Sequence, residues 1–471
     1  MRVAGSVYLR SVRVALSCTF ITLMCVAQAG TAAADTLADA LAKAYLTNPT
    51  LNSARASVRA ADERVPQAIS GWRPTVSLRG EVQTESSVSN QFTSSNPSGQ
   101  YRGDRTESGT LAIILEQPLF RGFRTIESTR SAEAQVKAAR QGLLQTEQQV
   151  LFDAVQAYMS VFAGRQLVAL RRQDVAALEA HVKASKSRLA YGEITQTDLA
   201  QSEARLAESR NALIDQRVRL AQDVAFYVQV VGQEPAKLFY PKVPQLPVSL
   251  DMAMDMAGAL NPRILAQAFV EEATSRAVNV ARSGLLPSAN LRARALVSDG
   301  DIGKDDTGFQ AASITAEMSV PIYEAGLVYS QVREAKQRAS QSRIELIEVS
   351  RDVLKVVSQS WNSYVGLGEV IRNTKIQVAA AQTALDGVQQ EYKAGMRSTL
   401  DVLDAQRELV QSQALRVNAE KARVVAAFQL LAAVGHLTAE NVGLDVPLYD
   451  AEENYRLVRN KVIGTGIPAT N

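Results

Sequence analysis

Two stretches decide the fold: Ser70-Gly71-Trp72-Arg73-Pro74-Thr75-Val76-Ser77-Leu78-Arg79 and Ser283-Gly284-Leu285-Leu286-Pro287-Ser288-Ala289-Asn290-Leu291-Arg292. Their Ser-Gly, Pro and Leu-Arg elements match at an offset of 213, as do Asn48-Pro49 and Asn261-Pro262. Further on, Pro118, Gly192, Asp198 and Val231-Gly232 recur as Pro321, Gly395, Asp401 and Val434-Gly435 at an offset of 203. The first copy therefore carries ten extra residues between 79 and 118. Matches at constant offset mark an internal repeat. The chain divides into a leader (1–34), a first repeat (35–233), a connector (234–249), a second repeat (250–436) and a C-terminal tail (437–471).

Each quoted stretch is also a change of hydrophobic period. Upstream, an Ala/Leu-rich pattern predicts one helix over about 36–70, and again over about 250–283. After Pro74, Val76, Leu78, Gly80 and Val82 alternate with Ser77, Arg79, Glu81 and Gln83; after Pro287, Ala289, Leu291, Ala293 and Ala295 do the same. Such alternation predicts strands with one apolar and one polar face. Ser/Asn/Gly-rich stretches follow, and a second strand then runs to Pro118 or Pro321. Ala316, Met318 and Val320 alternate well, whereas Leu111 to Leu115 do so poorly. Each copy thus holds one β-hairpin, at 74–118 and 287–321.

Proline-free helical stretches come next, over 124–190 and 327–393. At 1.5 Å per residue each reaches about 100 Å. Leu144, Leu151 and Tyr158 recur every seven residues, and Ile347, Leu354 and Trp361 hold the same register. After the turns, Leu199, Leu206, Leu213 and Leu220 form a third stripe, and Leu403, Val410, Val417, Val424 and Leu431 a fourth. A seven-residue repeat predicts coiled-coil packing, here as long helical hairpins. Tyr158 and Trp361 read as packing residues.

The leader is a secretory signal. Arg10 and Arg13 precede an apolar run from Val14 to about Val26, and Ala27, Ala29 and Ala32 to Ala34 follow. That order of basic, apolar and small residues predicts cleavage after Ala29 or Ala34, of which Ala34 is favoured. Both cysteines, Cys18 and Cys25, lie in the leader; Cys25 follows Thr22-Leu23-Met24, which does not form a lipoprotein box. Beyond residue 34 the chain therefore has no thiol for a disulfide, metal site or nucleophile. With only His181 and His436, a multi-histidine metal centre is excluded too. The chain has 51 Lys+Arg and 48 Asp+Glu, and its leader carries three arginines and no acid, so the remainder is formally neutral. Neutrality argues against nucleic acid as a partner.

After residue 34 no run of 18 apolar residues is present, so membrane contact must come through the strands. Four strands are too few for a transmembrane barrel, which needs at least eight. An open edge in lipid would strand its backbone groups, so several chains must share one barrel. Trp72, Phe120, Phe123 and Tyr323 flank the strands where interfacial aromatics belong. A soluble α+β bundle capped by hairpins is the competing arrangement.

With these features in view, the chain resembles the TolC-type outer-membrane efflux and secretion channels. The resemblance covers the whole chain beyond the leader. Its most specific stretch is Tyr392-Lys393-Ala394-Gly395-Met396-Arg397-Ser398-Thr399-Leu400-Asp401-Val402-Leu403-Asp404-Ala405. It implies a mainly helical fold with β-hairpins: a homotrimer whose 12-stranded β-barrel in the outer membrane continues as a 12-helix α-barrel across the periplasm. It also implies an exit duct without enzyme activity or cofactor. The partners implied are a periplasmic adaptor, an inner-membrane ABC or RND transporter and outer-membrane lipid.

The candidate gate lies at the helical turns. Gly192 and Gly395 suit helix C-termini, where a left-handed residue often sits. Thr195-Gln196-Thr197-Asp198 and Ser398-Thr399-Leu400-Asp401 have the form of capping boxes, which alone accounts for Asp198 and Asp401. The resemblance adds gate links, because residues matching Asp198, Tyr392 and Arg397 hold neighbouring inner helices together in that family. Asp401 and Asp404 share a helix face. Three chains would turn them into a ring of six carboxylates, the first copy having Gln201 at the second position. Such a ring favours cations; a solvated helix face is its alternative.

Asp299-Gly300-Asp301 with Asp305-Asp306 resembles a calcium loop, but Gly303 stands where a ligand is needed, so a surface hairpin tip is expected. The tail is expected to drape over the middle of the helices or to be partly disordered. Energy must come from partners, because the chain has no Walker-type phosphate loop and no nucleophile triad; a carboxylate pair for glycoside hydrolysis lacks a pocket. The rival is a trimeric coiled-coil adhesin or periplasmic scaffold without a pore, which would have no need of two alternating hairpins.

Overall fold

The computed structural model describes residues 36–93, 96–299 and 308–467. The leader and the acidic tip from Asp301 to Asp306 lie outside the described residues. In the first copy α1 (Leu37–Thr47), α2 (Pro49–Asp62) and α3 (Arg64–Ile69) lead into β1 (Thr75–Thr93) and β2 (Asn96–Arg121). Then come α4 (Arg124–Ala190) and α5 (Gln196–Val231). The second copy comprises α6 (Leu250–Leu260), α7 (Pro262–Arg282), β3 (Ser288–Asp299), β4 (Phe309–Ser319), α8 (Leu327–Lys393) and α9 (Thr399–Ala433). The tail adds α10 (Ala439–Val442) and α11 (Glu453–Val458).

The opening segment of each copy is not the single helix expected from its pattern. It breaks at Asn48 and Asn261, whose ψ angles of 123° and 120° are extended. A following proline disfavours the α conformation at the residue before it, and itself fits the first turn of a new helix. Each asparagine then joins two helices end to end. Asn48 Oδ1 accepts from Thr50 N at 2.9 Å while its Nδ2 donates to Val230 O at 3.0 Å. Asn261 Oδ1 accepts from Arg263 N at 2.9 Å and its Nδ2 donates to Ala433 O at 2.7 Å. Orphan groups at both helix ends are thereby satisfied. At Gly435 (φ 85°) a Cβ would lie 2.5 Å from Leu260 O, so only glycine lets the ends meet.

End-to-end stacking gives four helical columns per chain: α5 with α2 and α3, then α4, then α9 with α7, then α8. Neighbouring columns pack along their length in that order, both in the half nearer the sheet and in the half nearer the turns. The antiparallel sheet has the order β1-β2-β3-β4, so each strand continues one column. The first hairpin outreaches the second: β2 pairs with β3 only from Arg121 to Gly109, whereas β1 and β2 remain paired to Thr93 and Asn96. Three of the four heptad stripes agree with the burial. Leu151 and Tyr158 are fully buried, and most residues of the stripes on α5 and α9 are buried. The stripe on α8 is different, because Ile347 is exposed and Leu354 and Trp361 are only half-buried. Within one chain, α8 buries Val353, Val357 and Ser360 instead. The physical reason is its position: α8 is an outer column, with a neighbour on one flank.

The main core sits at mid-height, where α4 is buried on nearly every side between Val150 and Val161. There α1, the ends of α5 and α9 and the tail residues Leu437, Ala439 and Leu444 close around it. The tail thus drapes over the middle of the helices as expected. Buried Glu147 fixes it by accepting from Ala439 N at 2.7 Å, and burial pushes the Glu147 carboxyl above its ordinary range.

Candidate channel wall and periplasmic gate

The strand register sorts the sheet into two faces. Val76 pairs with Leu115 and Leu78 with Ile113; these continue across to Ala293 and Ala295 on β3 and to Ile314 and Ala312 on β4. This face is apolar, and its larger side chains are exposed: Val76, Leu78, Val82, Leu111, Ile113, Ile314 and Met318. The other face carries Arg79, Glu81, Glu116, Arg292, Arg294 and Glu317, with Glu116 and Arg292 ion-paired at 2.8 Å. The weak alternation of Leu111 to Leu115 has its explanation here. Ala112 and Ile114 lie on the polar face, where Ala112 is small enough to be buried among neighbours. At the foot of that face a cavity of about 660 Å³ is lined by Arg73, Glu116, Arg121, Arg124, Arg292 and Glu317. An apolar outer face in contact with lipid and a charged inner face in contact with water is what a pore wall requires. Among the described residues no helix is long and apolar enough to cross a membrane.

Both flanks of this wall are open. β1 and β4 are edge strands, and each pairs on one side only. The outer columns expose apolar side chains as well, Ile214 and Val218 on α5 and Ile344, Ile347 and Val365 on α8.

At the opposite end, each long helix closes on a glycine. Gly192 and Gly395 have φ angles of 76° and 77°. Glu193 N donates to Arg188 O, and Met396 N to Glu391 O, each at 2.9 Å, completing matched helix C-terminal turns. The two turns are charge-swapped counterparts. Arg188 Nε donates to Glu193 Oε2 at 2.9 Å, and Arg397 Nε donates to Glu391 Oε2 at 2.7 Å. Thr195 and Ser398 then cap α5 and α9 in capping boxes with Asp198 and Asp401. Hydrogen bonds from the backbone and side chains of Thr195 and Ser398 hold both aspartates below the usual carboxylate range.

The candidate gate residues are therefore each engaged locally. Among the described residues, no hydrogen bond joins Asp198 to Tyr392 or Arg397 within one chain. Tyr392, half-buried, leaves α8 and lies against α4, its ring 4.7 Å from the Arg188 guanidinium and 6.0 Å from the His181 ring. Asp404 pairs with Arg205 at 3.2 Å, linking α9 to α5, so the acidic pair is partly neutralised. Behind it Asp174 is buried and accepts from Ser209 Oγ at 2.7 Å and Gln406 Nε2 at 3.3 Å. Glu391, Arg188, His181, Arg205 and Asp174 are partners that sequence reading missed. The offset of 203 places Arg188 opposite Glu391 in the two copies, a signal visible only once the turn geometry is known.

An open-edged sheet with an apolar outer face, continued by long helical columns, defines a channel subunit of the outer membrane. A family model described as "Outer membrane efflux protein" matches twice, over residues 40–233 and 253–436. The chain belongs to that family. It is 39% identical over 438 residues to the outer membrane efflux protein BepC of Brucella suis, covering 93% of each chain. It is 24% identical to the outer membrane protein TolC of Escherichia coli, covering 87% of this chain and 84% of TolC. Among solved structures, the outer membrane channel CmeC of Campylobacter jejuni superposes with a TM-score of 0.75 at 14% identity, over 90% of this chain and 89% of CmeC.

Proposed function

We propose that three copies assemble head to tail into one duct, β1 of each pairing with β4 of the next and α5 packing on α8. The single observation that carries this reading is the wall with two open flanks. Each chain supplies four strands and four full-height columns, so three supply the twelve of each that a closed barrel and tunnel would use. Exposed Ile347 and half-buried Leu354 and Trp361 are then covered by a neighbour. Transport is passive, driven by an inner-membrane ABC or RND transporter joined through a periplasmic adaptor that docks at the helical turns. Names among the relatives, such as the alkaline protease secretion protein AprF of Pseudomonas aeruginosa, support secretion as well as efflux as a use of this architecture.

The gate is proposed at the turns. Asp198, Tyr392 and Arg397 link neighbouring columns across copies in the closed state, and Asp401 and Asp404 form the acidic entrance. Exposed links of this type are individually weak, because solvent screens them. Several together hold the tip closed, yet a docking partner displaces them. Planar-bilayer conductance tests the reading: low conductance is expected for wild type and a larger, longer-lived open state for Arg397→Ser. No channel activity in either would overturn the duct, and equal conductance would overturn the gate.

A further inference from the structure

The tail does more than cover the mid-height core; it climbs toward the sheet. From Tyr449, whose N donates to Tyr45 Oη at 3.1 Å, it rises along α2 to α11. There Asn454 Nδ2 donates to Asp62 Oδ2 at 2.8 Å, and Arg459 pairs with Glu133 at 2.9 Å. It ends on Arg73, whose Nη1 donates to Lys461 O at 3.0 Å. Arg73 stands two residues before Thr75, the first residue of β1.

The segment placed there is a closed loop. Gly464 has φ 105°, and Lys461 Nζ donates back to Gly466 O. Its three large apolar side chains, Val462, Ile463 and Ile467, are 69%, 89% and 87% exposed. Nothing else among the described residues covers them. They continue a belt of exposed apolar groups at the feet of the strands: Trp72, Leu119, Phe123, Ile322 and Tyr323. Among the described residues, neither Lys461 nor Arg73 has a carboxylate ion-pair partner, so the loop is also cationic.

We propose that the loop from Lys461 to Ile467 is a membrane foot: Val462, Ile463 and Ile467 enter the periplasmic leaflet beside the base of the barrel, and Lys461 meets anionic phospholipid headgroups. The occupant is a lipid surface because the loop is tied to the base of a lipid-facing strand and continues its apolar belt. Apolar insertion combined with cationic attraction is the two-part signal by which proteins hold to membrane surfaces. The foot braces the helical columns against the bilayer at the point where they meet the sheet. This inference rests on the outer-membrane reading of the apolar strand face.

The test uses the leader-free chain, which has no cysteine of its own, reconstituted in phosphatidylethanolamine–phosphatidylglycerol vesicles. A bimane label is placed in turn at Ile463→Cys, at Leu78→Cys on the strand face and at Thr383→Cys on α8. Lipids carrying a doxyl quencher near the headgroup are expected to quench the labels at 463 and 78 and to leave the label at 383 bright. Lys461→Glu should reduce quenching at 463 alone, and so should replacing phosphatidylglycerol by phosphatidylcholine. Quenching at 78 but not at 463 would overturn the foot and leave the barrel intact; quenching at neither would overturn both.

Discussion

Arg397 Nε donates to Glu391 Oε2 at 2.7 Å across the Gly395 turn, so the arginine assigned to the gate is held by its own helix end. In the proposed gate, Glu391 and Asp198 of a neighbouring copy compete for one guanidinium. Releasing Arg397 by Glu391→Gln should strengthen closure, whereas Arg397→Ser should weaken it. Each change is expected to alter the open probability by up to about five-fold, because solvent screens an exposed pair. Single-channel recordings of the two variants should move in opposite directions.

In the proposed gate, His181 should add a second, pH-dependent component. Its burial, and then the nearby Arg188, hold the imidazole below its ordinary pKa, so the folded tip favours the neutral ring. The sign follows: no cost exists above the ordinary value of about 6.5, and closure weakens as pH falls below it. Conductance should therefore rise between about pH 6.5 and 5, and His181→Gln should remove that rise. Asp198 and Asp401, with lowered pKa values, contribute stability that persists until pH falls below the usual carboxylate range of about 4. The two effects occupy separate windows.

Asn48 and Asn261 each cap one helix and bond the end of another while buried. Alanine at either position removes the cap and leaves a buried carbonyl unpaired, at about 1–3 kcal/mol. Thermal dissociation of the assembly, followed on gels without boiling, should shift to lower temperature for both variants, and further for the double variant.

Asp62 is fully buried with Oδ1 unpartnered, and burial raises its carboxyl above the ordinary value. A raised carboxyl makes the charged form a liability that protonation relieves as pH falls. Asp62→Asn should accordingly stabilise docking of α11 at neutral pH by about 1 kcal/mol. Tryptic cleavage at Arg456 and Arg459 should slow in the variant.

Much of this architecture is legible in the sequence because long-period features survive local noise. The repeat offsets, the period-two runs after Pro74 and Pro287 and the two proline-free stretches all correspond to elements in the structure, the long helices spanning 124–190 and 327–393 as read. The end-to-end junctions were not legible. Asn48-Pro49 marks a helix start, but its bond to Val230 spans 182 residues and leaves no local pattern. The α8 stripe misled for a related reason, since a heptad says that a face will be covered without saying by which chain. At the tip, the capping boxes of Asp198 and Asp401 were readable from spacing alone. The clasp of Tyr392 against His181 and Arg188 depends on how α8 approaches α4, which no spacing encodes.

The central claim is that one chain is an incomplete wall, and native mass spectrometry of the detergent-purified protein tests it most directly. Three copies of the leader-free chain, released only with the membrane, are the predicted result. A single chain that remains in solution without detergent would contradict it.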